Sequence, residues 1–394
     1  MIKDIIALPS YNSRGEQTLK VWIMNKSGFY SAYAPSGKSR GKWEAKTLDA
    51  KKALKVLPRI KKRLIGLKEK DFEIFDDTLE KLGGKNLGKI GANLSTALSM
   101  ANIRAASDNK VYKFLNPDAR HVPFPLGNVI GGGAHGGFTS IQEFLVFDPK
   151  AKDIFQAIET NFKVWNDVRK VLRLKGFTVG RNDEGAWIMR KDDFKTLDFI
   201  TKIAEKHGAK VGVDIAAGEF YKRGKYIYHS LKKKFNSGEQ LEFVKDLIKT
   251  YKLAYVEDPF HENDFKSFSE LKKKVKCLIV GDDLFATNPE RIIKGIDKEA
   301  GNGILIKPDQ IGLVSRAILT AEIAKRGGFT PVVSHRSGET EDAFISDLAV
   351  AIEAPLLKCG ISGTERVAKV NRLIEIWNGI KGTKRKPQMA KLKF

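Results

Sequence analysis

With 394 residues, 42% of them hydrophobic and 30% charged, the chain has material for a sizeable core, and its length points to two domains or a barrel with an appendage. Its 35 Gly and 13 Pro are too few for a disordered or fibrous chain. The charge is the unusual feature: 70 Lys and Arg against 47 Asp and Glu leave a net +23.

Such a balance fits either a polyanion partner or a solvated basic surface with some attraction for small anions. The basic residues are scattered, through Lys61-Lys62-Arg63, Lys232 to Lys234, Lys272 to Lys274 and Lys384-Arg385-Lys386, with no zinc-finger spacing and no aromatic interleaving. That favours the solvated surface and keeps nucleic acid as the alternative partner. The first nine residues carry no signal-peptide pattern, and no apolar run reaches membrane-spanning length. Cys277 and Cys359 lie far apart without metal spacing, so a reduced, cytoplasmic chain with no membrane partner is expected, a disulfide between them being left open.

In chain order, a hairpin comes first. Leu19, Val21 and Ile23 alternate with polar neighbours, Asn25 to Gly28 supply the turn, and Phe29 to Ala34 extend again. Residues 35–41 are too rich in Gly and Ser for regular structure. Residues 48–107 read as helical and end in an Ala-rich run whose Leu94, Leu98 and Ala101 share one face. This predicts an N-terminal α+β domain over 1–120. A joint rich in Pro and Gly follows, and over 121–394 short apolar strands alternate with amphipathic helices, an α/β pattern of βα units around a parallel sheet.

These strands end on chemically capable residues: Asp214, Glu257, Asp282, Lys307 and His335, the last four being 25, 25 and 28 residues apart. In a (β/α)8-type barrel such strand ends converge on one mouth. An open doubly wound sheet would more often carry a GxGxxG after its first strand, and none is present. Three carboxylates brought together, Asp214, Glu257 and Asp282, repel one another unless a hard cation such as Mg²⁺ joins them; a lone one would be read as a helix cap. Lys307 follows the apolar Ile304-Leu305-Ile306, where neighbouring cations would lower its pKa toward that of a base, and Lys358 follows Pro355-Leu356-Leu357 in the same way. Residues 334–340 offer Arg336, Ser337 and turn amides to an anion.

The motifs then combine. Residues 334–342 (SHRSGETED), 304–312 (ILIKPDQIG), 281–288 (GDDLFATN), 256–260 (VEDPF), 214–221 (DIAAGEFY) and 127–144 (GNVIGGGAHGGFTSIQEF) occur in the order found in enolases. Residues 11–15 and 35–45 are similar to that family's N-terminal strand and serine loop, so the resemblance covers nearly the whole chain. It implies a C-terminal enolase barrel with an N-terminal capping domain, and reversible dehydration of 2-phosphoglycerate to phosphoenolpyruvate, in glycolysis and gluconeogenesis. It implies that Lys307 takes the C2 proton and that Glu184, assisted by Glu143, protonates the departing hydroxyl. Lys358 and Mg²⁺ would stabilise the enediolate, with Asp214, Glu257 and Asp282 as ligands. Arg336 and Ser337 would hold the phosphate, and His135 and His335 would line the site. Gln142 would support Lys307 or Glu143, and Ser39 would complete a second Mg²⁺ site with the phosphate. A homo-oligomer, a dimer or ring of dimers, is implied too.

Four departures stand out. Asn12 replaces the family's Asp, which predicts a weaker contact there. Asp309 replaces an Asn two residues after Lys307, which predicts a raised pKa for the lysine. Lys38 and Arg40 charge a normally small, neutral loop. Residues 181–183 lack the family's glycine before Glu184. Two rival readings are a relative acting on an unphosphorylated acid, which would not need the serine loop, and a catalytically weakened paralogue with a binding role.

Overall fold

The computed structural model describes residues 1–38, 41–175, 180–383 and 385–392. Near the N-terminus three antiparallel strands, β1 (Asp4–Tyr11), β2 (Gln17–Met24) and β3 (Phe29–Tyr33), pair in sequence order. The expected hairpin is β2–β3, and β1 joins it as an edge strand. Four helices follow: α1 (Ala50–Leu64), α2 (Phe72–Gly83), α3 (Ala92–Ser107) and α4 (Val111–Leu115). Rather than presenting one apolar face, α3 is buried on nearly every side, because its Ala and Ser side chains let neighbours approach closely. Its two buried serines are satisfied: Ser95 donates to the Gly312 carbonyl at 2.8 Å and Ser99 to Asp76 at 2.9 Å.

Eight further strands close into a barrel: β4 (Phe124–Gly131), β5 (Glu143–Phe147), β6 (Lys210–Asp214), β7 (Tyr255–Glu257), β8 (Leu278–Gly281), β9 (Gly303–Ile306), β10 (Thr330–Ser334) and β11 (Leu356–Gly360), with β11 pairing back to β4. Helices α5 (Ile154–Leu174), α6 (Asp193–Lys206), α7 (Ser237–Tyr251), α8 (Phe265–Lys274), α9 (Pro289–Asp297), α10 (Val314–Arg326), α11 (Phe344–Ala351) and α12 (Thr364–Lys381) accompany the strands. One strand departs from a uniform βα repeat. β5 runs antiparallel to both neighbours, so its first residue, Glu143, lies level with the last residue of β6, Asp214.

Alternation along the strands builds the mouth. Leu126, Leu145, Tyr255, Val280, Leu305, Val332 and Leu356 belong to the inner apolar cluster, and Gly212 leaves room for Tyr255, whose Cβ a Cβ there would meet at 2.8 Å and whose ring at 3.2 Å. Two positions further toward the mouth on each strand stand Asn128, Glu143, Asp214, Glu257, Asp282, Lys307, Ser334 and Lys358. A polar ring therefore caps a packed apolar plug.

The N-terminal elements are bound to the barrel by buried polar contacts. Arg104 on α3 makes a forked pair with Asp342 at 2.8 and 2.6 Å, and the Tyr33 amide donates to the same carboxylate at 3.0 Å. Asp76 on α2 accepts the Ser315 amide at 3.0 Å, capping the barrel helix α10 from outside. Burial opposes ionisation of Asp342, but Arg104 holds its pKa below the ordinary value. Removing the guanidinium in Arg104→Leu strands this carboxylate. We expect a loss of about 3 kcal/mol in urea unfolding, recovered in part by adding Asp342→Asn. Equal losses in the single and double variants would show that the pair does not hold the two parts together.

Candidate active site

The ring places most of the expected residues in one cleft, lined among others by Lys38, Glu44, His135, Gln142, Glu143, Glu184, Asp214, Asp282, Lys307, His335, Arg336, Ser337 and Lys358. Glu257 lies just beneath it, fully buried. Ser39 and Arg40 lie outside the described residues.

Lys358 is the hub of the ring. Its Nζ lies 3.0 Å from Asp214, 2.7 Å from Glu257 and 3.2 Å from Glu143. Burial pulls the ammonium pKa down, and these carboxylates push it well above the ordinary value, so Lys358 stays charged. Lys307 instead meets Asp282 at 2.5 Å. Burial again works against the charge, and Asp282 outweighs it, raising the lysine pKa rather than lowering it as expected from neighbouring cations. Asp309 is not the main cause. It faces Arg336 at 3.3 Å, and burial raises its own pKa to about 6. Gln142 likewise supports neither expected partner; its amide donates to Asp214 at 3.2 Å.

Across the mouth, Glu184 sits between two imidazoles, 3.6 Å from His135 and 3.6 Å from His335, and accepts the Asn128 amide at 2.9 Å. The loop is shaped by Asn182, whose side chain accepts the amides of Glu184 and Ala186 at 3.1 and 3.0 Å. Burial favours the neutral acid, but His135 and His335 bring the Glu184 pKa well below the ordinary value. Glu143 is shifted the opposite way, by burial and then by the Glu184 charge. The two glutamates are thus pushed in opposite directions, Glu143 toward its neutral form and Glu184 toward its charged one. On strand alternation alone the inward residue of β10 is Ser334; His335 turns instead toward Glu184 and helix α12.

The anion loop is held from below and above. Arg366 on α12 is fully buried and donates to His335 Nδ1 at 2.7 Å and to the carbonyls of Arg336 and Ser337 at 2.6 and 2.8 Å. Lys369, one turn later, holds Glu339 at 2.7 Å. From the N-terminal side, Ser36 and Gly338 exchange two backbone bonds at 2.8 Å, and Asn12 donates to Ser36 at 2.8 Å. Here Asn12 takes part in the contact between the two parts of the chain. A Cβ at Gly338 would stand 2.5 Å from the Asn12 amide and 2.8 Å from the Ser36 carbonyl, so this seam requires glycine. Arg14 donates to Ser337 Oγ at 2.6 Å, and Glu44 holds Arg336 at 3.1 Å. Arg366, Lys369, Arg14 and Glu44 carried no signal in the sequence, being charges in ordinary loop and helix contexts.

The donor set fits divalent cations. Among the described residues eight carboxylates line the cleft against four cationic side chains, and burial with neighbouring acids raises Glu257 to about 8 and Asp283 to about 7. Such a surplus is relieved by hard cations with oxygen ligands. Asp214 and Glu257 share Lys358 while Asp282 turns to Lys307. Among the described residues the groups with possible ligand atoms within 4.8 Å of one another are His135, Glu143 and Glu184, and Asp258, Asp282 and Asp283. Asp258 is held by the amides of Asp282 and Asp283 at 3.0 and 2.7 Å, which fixes the turn after β8.

His335 gives a direct test of this arrangement. Because Arg366 and the Gly360 amide both donate to Nδ1, the ring proton belongs on Nε2, facing Glu184. Burial lowers the His335 pKa to about 4. In ¹⁵N-histidine spectra we expect a neutral Nε2–H tautomer from pH 8 down to about 5; an imidazolium at pH 6 would refute the assignment.

Known proteins supply an independent comparison. Residues 119–386 match the family model described as "Enolase, C-terminal TIM barrel domain", and residues 2–115 match "Enolase, N-terminal domain". Proteins named "Enolase" from Archaeoglobus fulgidus and Natronomonas pharaonis are 39% and 40% identical to this chain, each over 95% of its length and over 97% and 98% of theirs. The enolase of Methanothermobacter thermautotrophicus is 39% identical over 95% of this chain and 96% of its own. With both halves matched in order and full-length relatives at this identity, the chain belongs to the enolase family.

Proposed function

We propose that the cleft interconverts 2-phosphoglycerate and phosphoenolpyruvate, with Lys307 as base and the Glu143–Glu184 pair as acid. The observation that carries this reading is the ring order. Lys307 on β9 and Glu143 on β5 stand four strands apart in an eight-stranded barrel, on opposite sides of the mouth. Between them along one arc lie Asp214, Glu257 and Asp282. A substrate whose carboxylate is held over this arc presents its C2 hydrogen to one wall and its C3 hydroxyl to the other. That arrangement suits loss of both groups from opposite faces.

Asp214, Glu257 and Asp282 would hold Mg²⁺, which supplies charge stabilisation for the enediolate when bound. Lys358, fixed as an ammonium, adds a second positive charge to the same place. Base action by Lys307 requires the neutral amine. Burial favours that form and Asp282 opposes it, so the role needs Asp282 engaged as a ligand elsewhere. Glu143 holds the proton that the pair passes to the leaving hydroxyl, and His135 and His335 keep Glu184 in place. Arg336 and Ser337 would take the phosphate, with Ser39 assigned by family resemblance to a second Mg²⁺ beside it.

Lys307, Lys358, Glu143, Glu184 and the three acids are all retained in this chain, which disfavours a weakened paralogue. We place the boundary between the two domains at residues 120 and 121. A cytoplasmic homo-oligomer follows from family resemblance, and the exposed Ile6 and Leu8 on edge strand β1 give an apolar surface in keeping with it. No helix among the described residues is long and apolar enough to cross a membrane.

Absorbance of phosphoenolpyruvate formed from 2-phosphoglycerate should depend on added Mg²⁺ and vanish with chelator. In Lys307→Ala and Glu184→Gln, kcat should fall by about 10²–10⁴ while the folded structure is retained by circular dichroism. Turnover that survives both chelator and Lys307→Ala would reject the mechanism.

A further inference from the structure

The cationic side chains around the anion loop differ in how far their charge is already committed. Arg336 is buried against two carboxylates, Glu44 and Asp309. Arg14 is paired with Glu16 and bonded to Ser337. Arg366 is fully buried on His335 and loop carbonyls. Lys38 stands apart. Its backbone amide donates to Ser337 Oγ at 2.9 Å, the hydroxyl that also receives Arg14. Its side chain is 43% exposed and pairs at 2.8 Å with Asp183, itself 31% exposed. A single exposed pair contributes little to stability, so exchanging its anion costs little. The four-carbon stem is anchored beside Ser337 and free to swing.

We propose that Lys38 is a specificity-determining residue for the substrate's phosphate, leaving Asp183 for the phosphate oxygens when substrate binds at Ser337. This inference rests on the phosphorylated substrate proposed above. Two features support it. Asp309 adds a second carboxylate to Arg336, so the guanidinium has less net charge to offer an anion, and Lys38 supplies the missing charge at the same end of the cleft. A phosphate dianion also offers more charge and more acceptor oxygens than the lone Asp183 carboxylate. Asp183 keeps its backbone place when the lysine leaves, because Arg366 donates to its carbonyl at 3.1 Å. Glu184, the next residue, is therefore undisturbed by the exchange.

The test compares wild type, Lys38→Ala, Lys38→Arg and Asp183→Asn in Mg²⁺ buffer, measuring KM and kcat for 2-phosphoglycerate and the inhibition constant of inorganic phosphate. Lys38→Ala should raise KM and the phosphate constant about tenfold with a smaller change in kcat, and Lys38→Arg should retain most of the affinity. Asp183→Asn should shift both constants the other way, because it releases the lysine. A lysine that only latches two loops together predicts the same direction for Lys38→Ala and Asp183→Asn, and that result overturns the proposal. So does an unchanged phosphate constant in Lys38→Ala. If wild type does not turn over 2-phosphoglycerate, the reading of the substrate fails. Calorimetric titration of wild type and Lys38→Ala with phosphate then still reads the lysine: equal affinities overturn its role, and a loss of affinity upholds it.

Discussion

Everything at the mouth of the barrel is arranged around one buried ammonium. Lys358 is held in the middle of β11 by strand geometry, with carboxylates from β5, β6 and β7 around it. A lone charge at this depth would be very costly, and so would three clustered carboxylates. Together they make a site whose sign is set by what else enters. Lys358 satisfies only part of the negative charge, and Glu257, Asp258 and Asp283 remain pushed toward their neutral forms. The frame is thus built for more positive charge than its side chains provide, which is the electrostatic condition of a metal-dependent enzyme.

Confining this charge requires a rigid frame, and the frame is shared by both parts of the chain. Arg366 and Lys369 hold the anion loop from the barrel side, where one helix turn separates them. The N-terminal elements hold it from the other side through Ser36, Arg14 and Glu44. Neither half alone fixes Arg336, which lies between Glu44 of one and Asp309 of the other. This explains why an enzyme with a barrel active site keeps a packed N-terminal layer above it. The layer supplies one wall of the anion site, as well as covering apolar surface.

The barrel mouth was legible in sequence where a parallel strand ends on a polar residue after an apolar run. Asp214, Glu257, Asp282, Lys307 and Lys358 met that rule, and each lies two positions beyond an inward residue. Glu143 broke it, because β5 is antiparallel and its mouth residue is the first of the strand rather than the last; no local pattern announces that reversal. Glu184 was hidden in a loop whose shape depends on Asn182 side-chain bonds. His335 was read as a strand tip, but the inward residue is Ser334, and the histidine owes its position to Arg366, thirty-one residues later in the chain. Family resemblance named Glu143 and Glu184, while the observed partners of Asp309 and Gln142, Arg336 and Asp214, were not among those expected for them. Proximity in sequence suggested Lys307 for Asp309, yet a helical turn after β9 carries Asp309 round to Arg336. Partner choice in a crowded charged site depends on three-dimensional register, which spacing alone does not encode.

The surface and the cleft carry opposite signs, and that opposition has a consequence for encounter. A net charge of +23 gives a positive long-range field, which draws anions from beyond contact distance and weakens as salt is added. Inside about one Debye length, roughly 8 Å at physiological salt, the local carboxylates take over. An anionic substrate is therefore attracted to the molecule as a whole and met at the mouth by an acid surplus. Entry is favoured at the end where Lys38, Arg14 and Arg336 gather, or with cations bound over the acid arc. The basic surface thus needs no polyanion partner to have a physical role: it raises the local concentration of small anions, while the distribution of charge within the cleft selects how they enter.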